Sequence, residues 1–153
     1  MNKFIVTKEL GKLARWLRIL GFDTVYYTSS NIGSLIIEAL RGDRVIVTRR
    51  RAKIDELEKR TVVITSSELK EQLRELRTKL NLHFDESKMF KRCVLCNSVL
   101  FEADKNSIKN EVPEYVFNTH NIFMKCNCCK KIYWEGTHWG NIKNVLSSLG
   151  GES

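Results

Sequence analysis

Residues Phe4-Ile5-Val6-Thr7-Lys8-Glu9-Leu10-Gly11-Lys12-Leu13-Ala14-Arg15-Trp16-Leu17-Arg18-Ile19-Leu20-Gly21 change period within one short stretch. Phe4-Ile5-Val6 reads as a strand; Leu10, Leu13, Ala14, Leu17 and Leu20 then recur at helical spacing until Gly21 stops the pattern. The alternation continues downstream. Val25-Tyr26-Tyr27 reads as a second strand, Leu35 to Leu40 as a second helix ended near Gly42, and Val45-Ile46-Val47 as a third strand. Arg51 to Leu57 reads as a short helix and Val62-Val63-Ile64 as a fourth strand. Ser67 to Leu80 reads as a last helix, with Ser67 as N-cap and Leu69, Leu73, Leu76 and Leu80 on its apolar face. Strands alternating with helices imply an α/β fold, a mostly parallel sheet covered on both sides. From Asn81 to Lys91 the pattern fades into a polar connector. The expected division is an α/β body over residues 1–84 and a second domain over 85–153.

The second domain is marked by two CxxC knuckles, Cys93-Val94-Leu95-Cys96 and Cys126-Asn127-Cys128-Cys129, with 29 residues between them. Thiolates at this spacing can converge on one tetrahedral zinc, and the intervening length suits a small β-ribbon that brings the knuckles together. The first eight residues meet charge before any apolar stretch of targeting length, so the expectation is a cytoplasmic chain whose thiols are reduced and bind metal rather than pair as disulfides. Cys93, Cys96, Cys126 and Cys129 are the expected ligands of a structural zinc. Cys128 is an alternative to Cys129, and His120 and His138 flank the second knuckle as further alternatives, although packing or surface roles are commoner for such histidines.

Composition adds a partner class. The 153 residues are 42% apolar with one proline, enough for a real core, and no apolar run approaches the length of a membrane span. Lys and Arg number 26 against 18 Asp and Glu, leaving +8. Up to residue 90 there are 18 basic and 12 acidic residues, and beyond it 8 and 6, so most of the surplus lies in the body. Such a surplus favours a polyanion, most commonly nucleic acid. Lys8, Lys12 and Arg15 stand at i, i+4 and i+7 on the first helix, with Arg18 close by, while the opposite face is rich in leucine. Arg49-Arg50-Arg51 directly follows the third strand, at the carboxyl edge where open α/β sheets place their ligand sites. In the ribbon, Lys91, Arg92, Lys125, Lys130 and Lys131 border the knuckles, and Tyr133, Trp134 and Trp139 offer rings on which a base could stack, against the commoner use of aromatics to supplement a small core. Trp16 reads as a packing residue between body and ribbon.

The stretch from Phe4 to Thr24, containing Leu10-Gly11-Lys12-Leu13-Ala14-Arg15-Trp16-Leu17-Arg18-Ile19-Leu20-Gly21-Phe22-Asp23-Thr24, resembles the opening of the Mut-seven C-terminal RNase domain family. Arg44-Val45-Ile46-Val47-Thr48-Arg49 resembles that family's central strand and turn. Cys93-Val94-Leu95-Cys96-Asn97, the segment from Pro113 to His120, and Ile132-Tyr133-Trp134-Glu135-Gly136-Thr137-His138-Trp139 resemble its zinc-ribbon half. The resemblance covers nearly the whole chain and implies a PIN-like nuclease fold fused to a zinc ribbon, with RNA as the substrate class.

The resemblance also implies an Asp directly after the first strand and another in the turn after the third; this chain has Thr7 and Arg50 there, and residues Tyr26 to Ile37 contain no acid. Metal-dependent hydrolysis of the PIN type needs clustered carboxylates to hold Mg²⁺ or Mn²⁺, which activates water and neutralises phosphate charge. A neutral hydroxyl and a guanidinium do the opposite, and remove repulsion toward phosphate. Two function classes follow. The first is a non-catalytic RNA-binding protein that grips phosphates through Lys8, Lys12, Arg15, Arg18, Arg49, Arg50, Arg51, Lys130 and Lys131, as a component or partner of a ribonucleoprotein such as the ribosome. The second is an active ribonuclease using Glu9, Glu68 and Asp43 in a rearranged site with Mg²⁺ or Mn²⁺.

Overall fold

The computed structural model describes residues 3–50, 60–135 and 137–149, with backbone only for 137–141. Four parallel strands form the body sheet: β1 (Lys3–Thr7), β2 (Asp23–Tyr27), β3 (Val45–Thr48) and β4 (Thr61–Val63), in the order β2-β1-β3-β4. Between them run α1 (Gly11–Ile19), entered through a 3-10 turn at Lys8–Leu10, and α2 (Ile32–Gly42). α3 (Leu69–Leu80) follows β4. The short helix expected over 51–57 lies outside the described residues.

Both faces of the sheet are covered, so its strands are apolar at successive positions rather than alternately. Phe4, Val6, Val45, Val47 and Val62 point to one side and pack with Leu13 and Leu17 of α1 and Leu73 and Leu76 of α3. Ile5, Tyr27 and Ile46 point to the other and meet Leu35 and Ala39 of α2. Thr7 and Thr48 share the parity of Ile5 and Ile46, which sends their hydroxyls to the α2 side at the carboxyl edge.

α3 begins at Leu69, with the first leucine of the spacing, rather than at Ser67. Its N-cap is Glu68, whose side chain makes no capping bond, and Ser67 does not take that role. The turn before the helix is held from inside instead: Glu75 accepts from the Thr65 amide at 3.1 Å, the Ser66 amide at 2.7 Å and the Ser66 hydroxyl at 2.5 Å. Burial opposes ionisation of this carboxylate, but the Ser66 and Thr65 donors and Lys79 outweigh it and hold Glu75 down at about 2.

The segment after α3 departs from a polar connector. Leu82, Phe84 and Met89 are buried in the body core, Phe84 edge-on to Phe22 with ring centroids 6.1 Å apart, and Phe22 edge-on to Phe4 at 5.5 Å. Gly21 allows the close approach: its φ is +96°, and a Cβ there would lie 2.3 Å from the Lys88 carbonyl oxygen.

Beyond it, β5 (Phe101–Ala103), β6 (Phe123–Lys125) and β7 (Ile132–Trp134) form an antiparallel three-stranded ribbon, with α4 (Glu114–Thr119) between β5 and β6. One ribbon face packs Phe123 and Ile132 against Ile108, Val112 and Val116; the other turns Met124 and Tyr133 toward the cysteines. α5 (Thr137–Ser148) returns to the body, where Ile142 and Leu149 join the main core and Arg77 donates to the Leu149 carbonyl. Trp16 is partly buried against that same body core.

Candidate metal centre and nucleic-acid interface

The two knuckles have one backbone geometry. In each, the residue after the second cysteine is left-handed, Asn97 at φ +70° and Lys130 at φ +68°, and its amide donates 2.9 Å to the carbonyl of the first cysteine. This closes the turn so that both thiols point the same way. The Sγ atoms of Cys93, Cys96, Cys126 and Cys129 lie within 4.8 Å of one another, with 3.5 Å between Cys93 and Cys129 and 3.3 Å between Cys96 and Cys126. Four sulfurs bound at about 2.3 Å to a tetrahedral ion stand about 3.8 Å apart, whereas a disulfide needs about 2.05 Å. The set therefore fits an ion such as zinc. Cys128 is exposed and outside the cluster, so the thiols close enough to share an ion include Cys129 at the second knuckle.

The surroundings suit thiolates. Tyr133 donates its hydroxyl to Cys93 Sγ at 3.0 Å and accepts from the Val94 amide at 3.1 Å. Hydrogen bonding at Ser98 brings the Cys96 thiol down to about 6. The Lys131 amide favours the Cys129 thiolate too, but the neighbouring Cys93 wins and pushes Cys129 up to about 12. Four thiols this close need a shared cation before all of them can ionise. Tyr133 is thus engaged at the cysteine cluster, with Lys131 over its ring at 5.4 Å, while Trp134 stands half exposed on β7.

The first knuckle is also where ribbon meets body. Arg18 donates through Nε to the Thr24 carbonyl and through a terminal nitrogen to the Val94 carbonyl, both at 2.9 Å. It is only 8% exposed, so it does not stand on the basic ridge with Lys8, Lys12 and Arg15, which are exposed. Covered by the knuckle, its guanidinium serves the seam. Asn97 adds two bonds, accepting from the Thr24 amide at 2.9 Å and donating to Asp23 at 2.7 Å. Asp23 is paired with Arg44 at 2.8 Å and lies 3.9 Å from Arg92. Asp23 and Asn97 went unflagged as site residues; their only signal was a place inside the resembling motifs.

At the carboxyl edge of the body sheet, Glu9 is the central acid. Its Oε1 accepts from the Thr7 hydroxyl at 2.6 Å, the Thr48 hydroxyl at 3.1 Å and the Arg49 amide at 3.1 Å. Burial acts to raise the Glu9 carboxyl, yet these donors prevail and hold it below the usual range. Beside it a cavity of about 40 Å³ is lined by Thr7, Lys8, Tyr27, Ser29, Thr48 and Arg50, room for a few waters at most. Arg49 and Arg50 are exposed there, and Arg50 is positioned through its amide, which donates to the Thr48 hydroxyl at 3.1 Å. Arg51 lies outside the described residues.

The other acids do not join Glu9. Asp43 is the left-handed C-cap of α2, before β3, so the full length of that strand, about 13 Å, separates it from the carboxyl edge, and it pairs with Arg60 at 2.8 Å. A helix end and an ion pair, not a metal site, account for it. Glu68 is exposed at the start of α3. Among the described residues, the four cysteines are the only group of three or more His, Cys, Asp or Glu close enough to hold an ion. Lys130 and Lys131 are exposed beside the second knuckle, and His120 lies outside the cysteine cluster, its Nδ1 near the Thr119 hydroxyl at 2.9 Å.

No curated protein matches the chain. The model of the Mut7-C RNAse domain matches residues 2–146. Because that span takes in the parallel sheet and both cysteine knuckles, the likeness is to the whole assembly rather than to one half, and the chain belongs to the Mut7-C RNAse domain family.

Proposed function

We propose that this protein binds RNA without cutting it, with a structural zinc in the ribbon and a degenerate PIN-like body. On this reading residues 1–84 carry the grip and 85–153 the metal-bearing appendage. Family membership supports an RNA-related role. The observation that carries the non-catalytic reading is the state of Glu9: one of its oxygens already takes three protein donors, so it works as an acceptor that shapes the turn after β3. Around it stand the exposed cations Lys8, Arg49 and Arg50, with Lys12 and Arg15 farther along α1. Such an edge attracts phosphate and has little to offer Mg²⁺ or Mn²⁺. Lys130 and Lys131 extend the basic surface onto the ribbon. Zinc is the ion of choice for four thiolates in a closed tetrahedral site, and it needs no open position for a structural role. A cytoplasmic ribonucleoprotein, the ribosome among them, is the setting in which such a protein would act. No described helix is long and apolar enough to cross a membrane.

The test is a pair of measurements on the zinc-loaded chain. Anisotropy titration with single-stranded RNA should show binding that weakens as salt rises, with Arg49→Glu and Arg50→Glu together lowering affinity at least tenfold and flattening the salt slope by about two contacts. Incubation of mixed RNAs with Mn²⁺ or Mg²⁺ should yield no cleavage. Cutting that requires metal and disappears in Glu9→Gln would overturn the non-catalytic reading in favour of a rearranged nuclease site.

A further inference from the structure

An open groove of about 320 Å³ runs between α1 and the first knuckle, with Lys12, Arg15 and Tyr26 on the body side and Val94 and Leu95 on the ribbon side. Its apolar parts are built and presented rather than incidental. Tyr26 is 37% exposed, yet its ring is held: the hydroxyl donates to the Lys8 carbonyl at 2.6 Å, and the ring end lies over Gly11, where a Cβ would meet Oη at 3.1 Å. Leu95, at the tip of the CxxC turn, is 55% exposed. Arg18 forms the floor, its charge committed to the Val94 and Thr24 carbonyls. Lys12 and Arg15 are exposed along the rim.

A rigid ring, an apolar side chain facing the same opening and two exposed cations with no ion pair among the described residues meet the needs of one nucleotide: a flat apolar face for the base and positive charge for the phosphates beside it. The cavity beside Glu9 is much smaller, at about 40 Å³. Resting on the RNA-binding reading, we infer that the groove is a subsite for an unpaired nucleobase, held against Tyr26 and Leu95 while Lys12 and Arg15 take the flanking phosphates. A duplex hides its base faces, so this subsite selects single-stranded RNA. Because one wall is the CxxC turn, an ion held by the knuckles would also shape the groove.

The experiment separates base from phosphate. The zinc-loaded full chain is titrated with an oligoribonucleotide of about twelve nucleotides and with the same backbone made abasic throughout, so that the phosphate count is constant. Intact RNA should bind about tenfold or more tightly than abasic RNA, the range for one stacked base. Leu95→Ala and, separately, Tyr26→Leu should shrink that ratio severalfold while leaving abasic binding as in the wild type; Leu95 is exposed enough that its truncation spares the fold. Equal affinity for intact and abasic RNA would overturn the base subsite and leave phosphate gripping standing. Failure to bind either at low salt would remove the RNA-binding reading itself.

Discussion

Replacing Asn97 by glycine should weaken the join between body and ribbon. The Asn97 amide group makes two bonds across the seam, from the Thr24 amide at 2.9 Å and to Asp23 at 2.7 Å. Thr24 is fully buried, so its amide loses its partner with no solvent nearby. An orphaned buried donor costs about 1–3 kcal/mol, and a bond to a carboxylate is worth about 1.5–3. Asp23 retains Arg44, which offsets part of the second loss, leaving a net cost of about 2–4 kcal/mol. Glycine is chosen because Asn97 sits at φ +70°, where glycine carries no strain, while alanine adds about 1–2 kcal/mol. For a chain of this length that is a fall in Tm of roughly 5–15 °C, with alanine lower still. Thermal melts of the metal-loaded wild type and both variants give the numbers. By linkage, a knuckle that docks less well also holds its ion less well, so competition with a chromophoric chelator should show weaker zinc binding in the glycine variant. A glycine variant melting within about 2 °C of wild type would show that the seam does not depend on Asn97, and the reasoning would fail there.

Two further outcomes follow from single residues. Glu75, held at about 2 against an unfolded value of 4.5, lends stability that is present above pH 4.5 and is lost as pH falls through 2; Glu75→Gln should cost about 1–2 kcal/mol at pH 7, after discounting for partial exposure, and only about a few tenths at pH 2, read from urea midpoints across that window. Gly21→Ala places a Cβ 2.3 Å from the Lys88 carbonyl at φ +96°, which should cost about 2 kcal/mol or more by the same melts, and an unchanged midpoint would mean the connector does not press on that turn.

The alternation of strands and helices was legible because buried parallel strands are apolar throughout and helices keep their period, as in Val45-Ile46-Val47 beside the leucines of α1. The convergence of the two knuckles was legible, since the CxxC spacing suits four thiols gathered around one point. The connector was not: Leu82, Phe84 and Met89 enter the core at irregular intervals, so no period marks them. Ser67 looked like a cap, but Glu75, a helical turn and more downstream, holds the preceding turn instead, and local rules do not reach that far. Arg18 failed for a different reason. A helical wheel ranks side chains by the helix alone and cannot know that a second unit covers one flank.

That flank explains the composition of the opening stretch, in which charge and apolar residues are interleaved more tightly than one core requires. Leu13, Ala14, Leu17 and Leu20 face the sheet, and Phe22 continues that core. Gly11 makes room for the Tyr26 ring, and Gly21 for the Lys88 carbonyl. Arg18, Asp23 and Thr24 are spent on the knuckle, leaving Lys12 and Arg15 uncovered beside it. One short stretch therefore encodes three surfaces at once: a core, a docking seam and a basic rim. The seam sets where the rim lies relative to Leu95, so loss of the ion should reach the groove before it reaches the sheet. Hydrogen exchange on chelator-treated protein would order these events, with the amides of Thr24 and Asn97 exposed ahead of those of β1 and β3. Simultaneous exposure would mean that the seam and the sheet open as one unit.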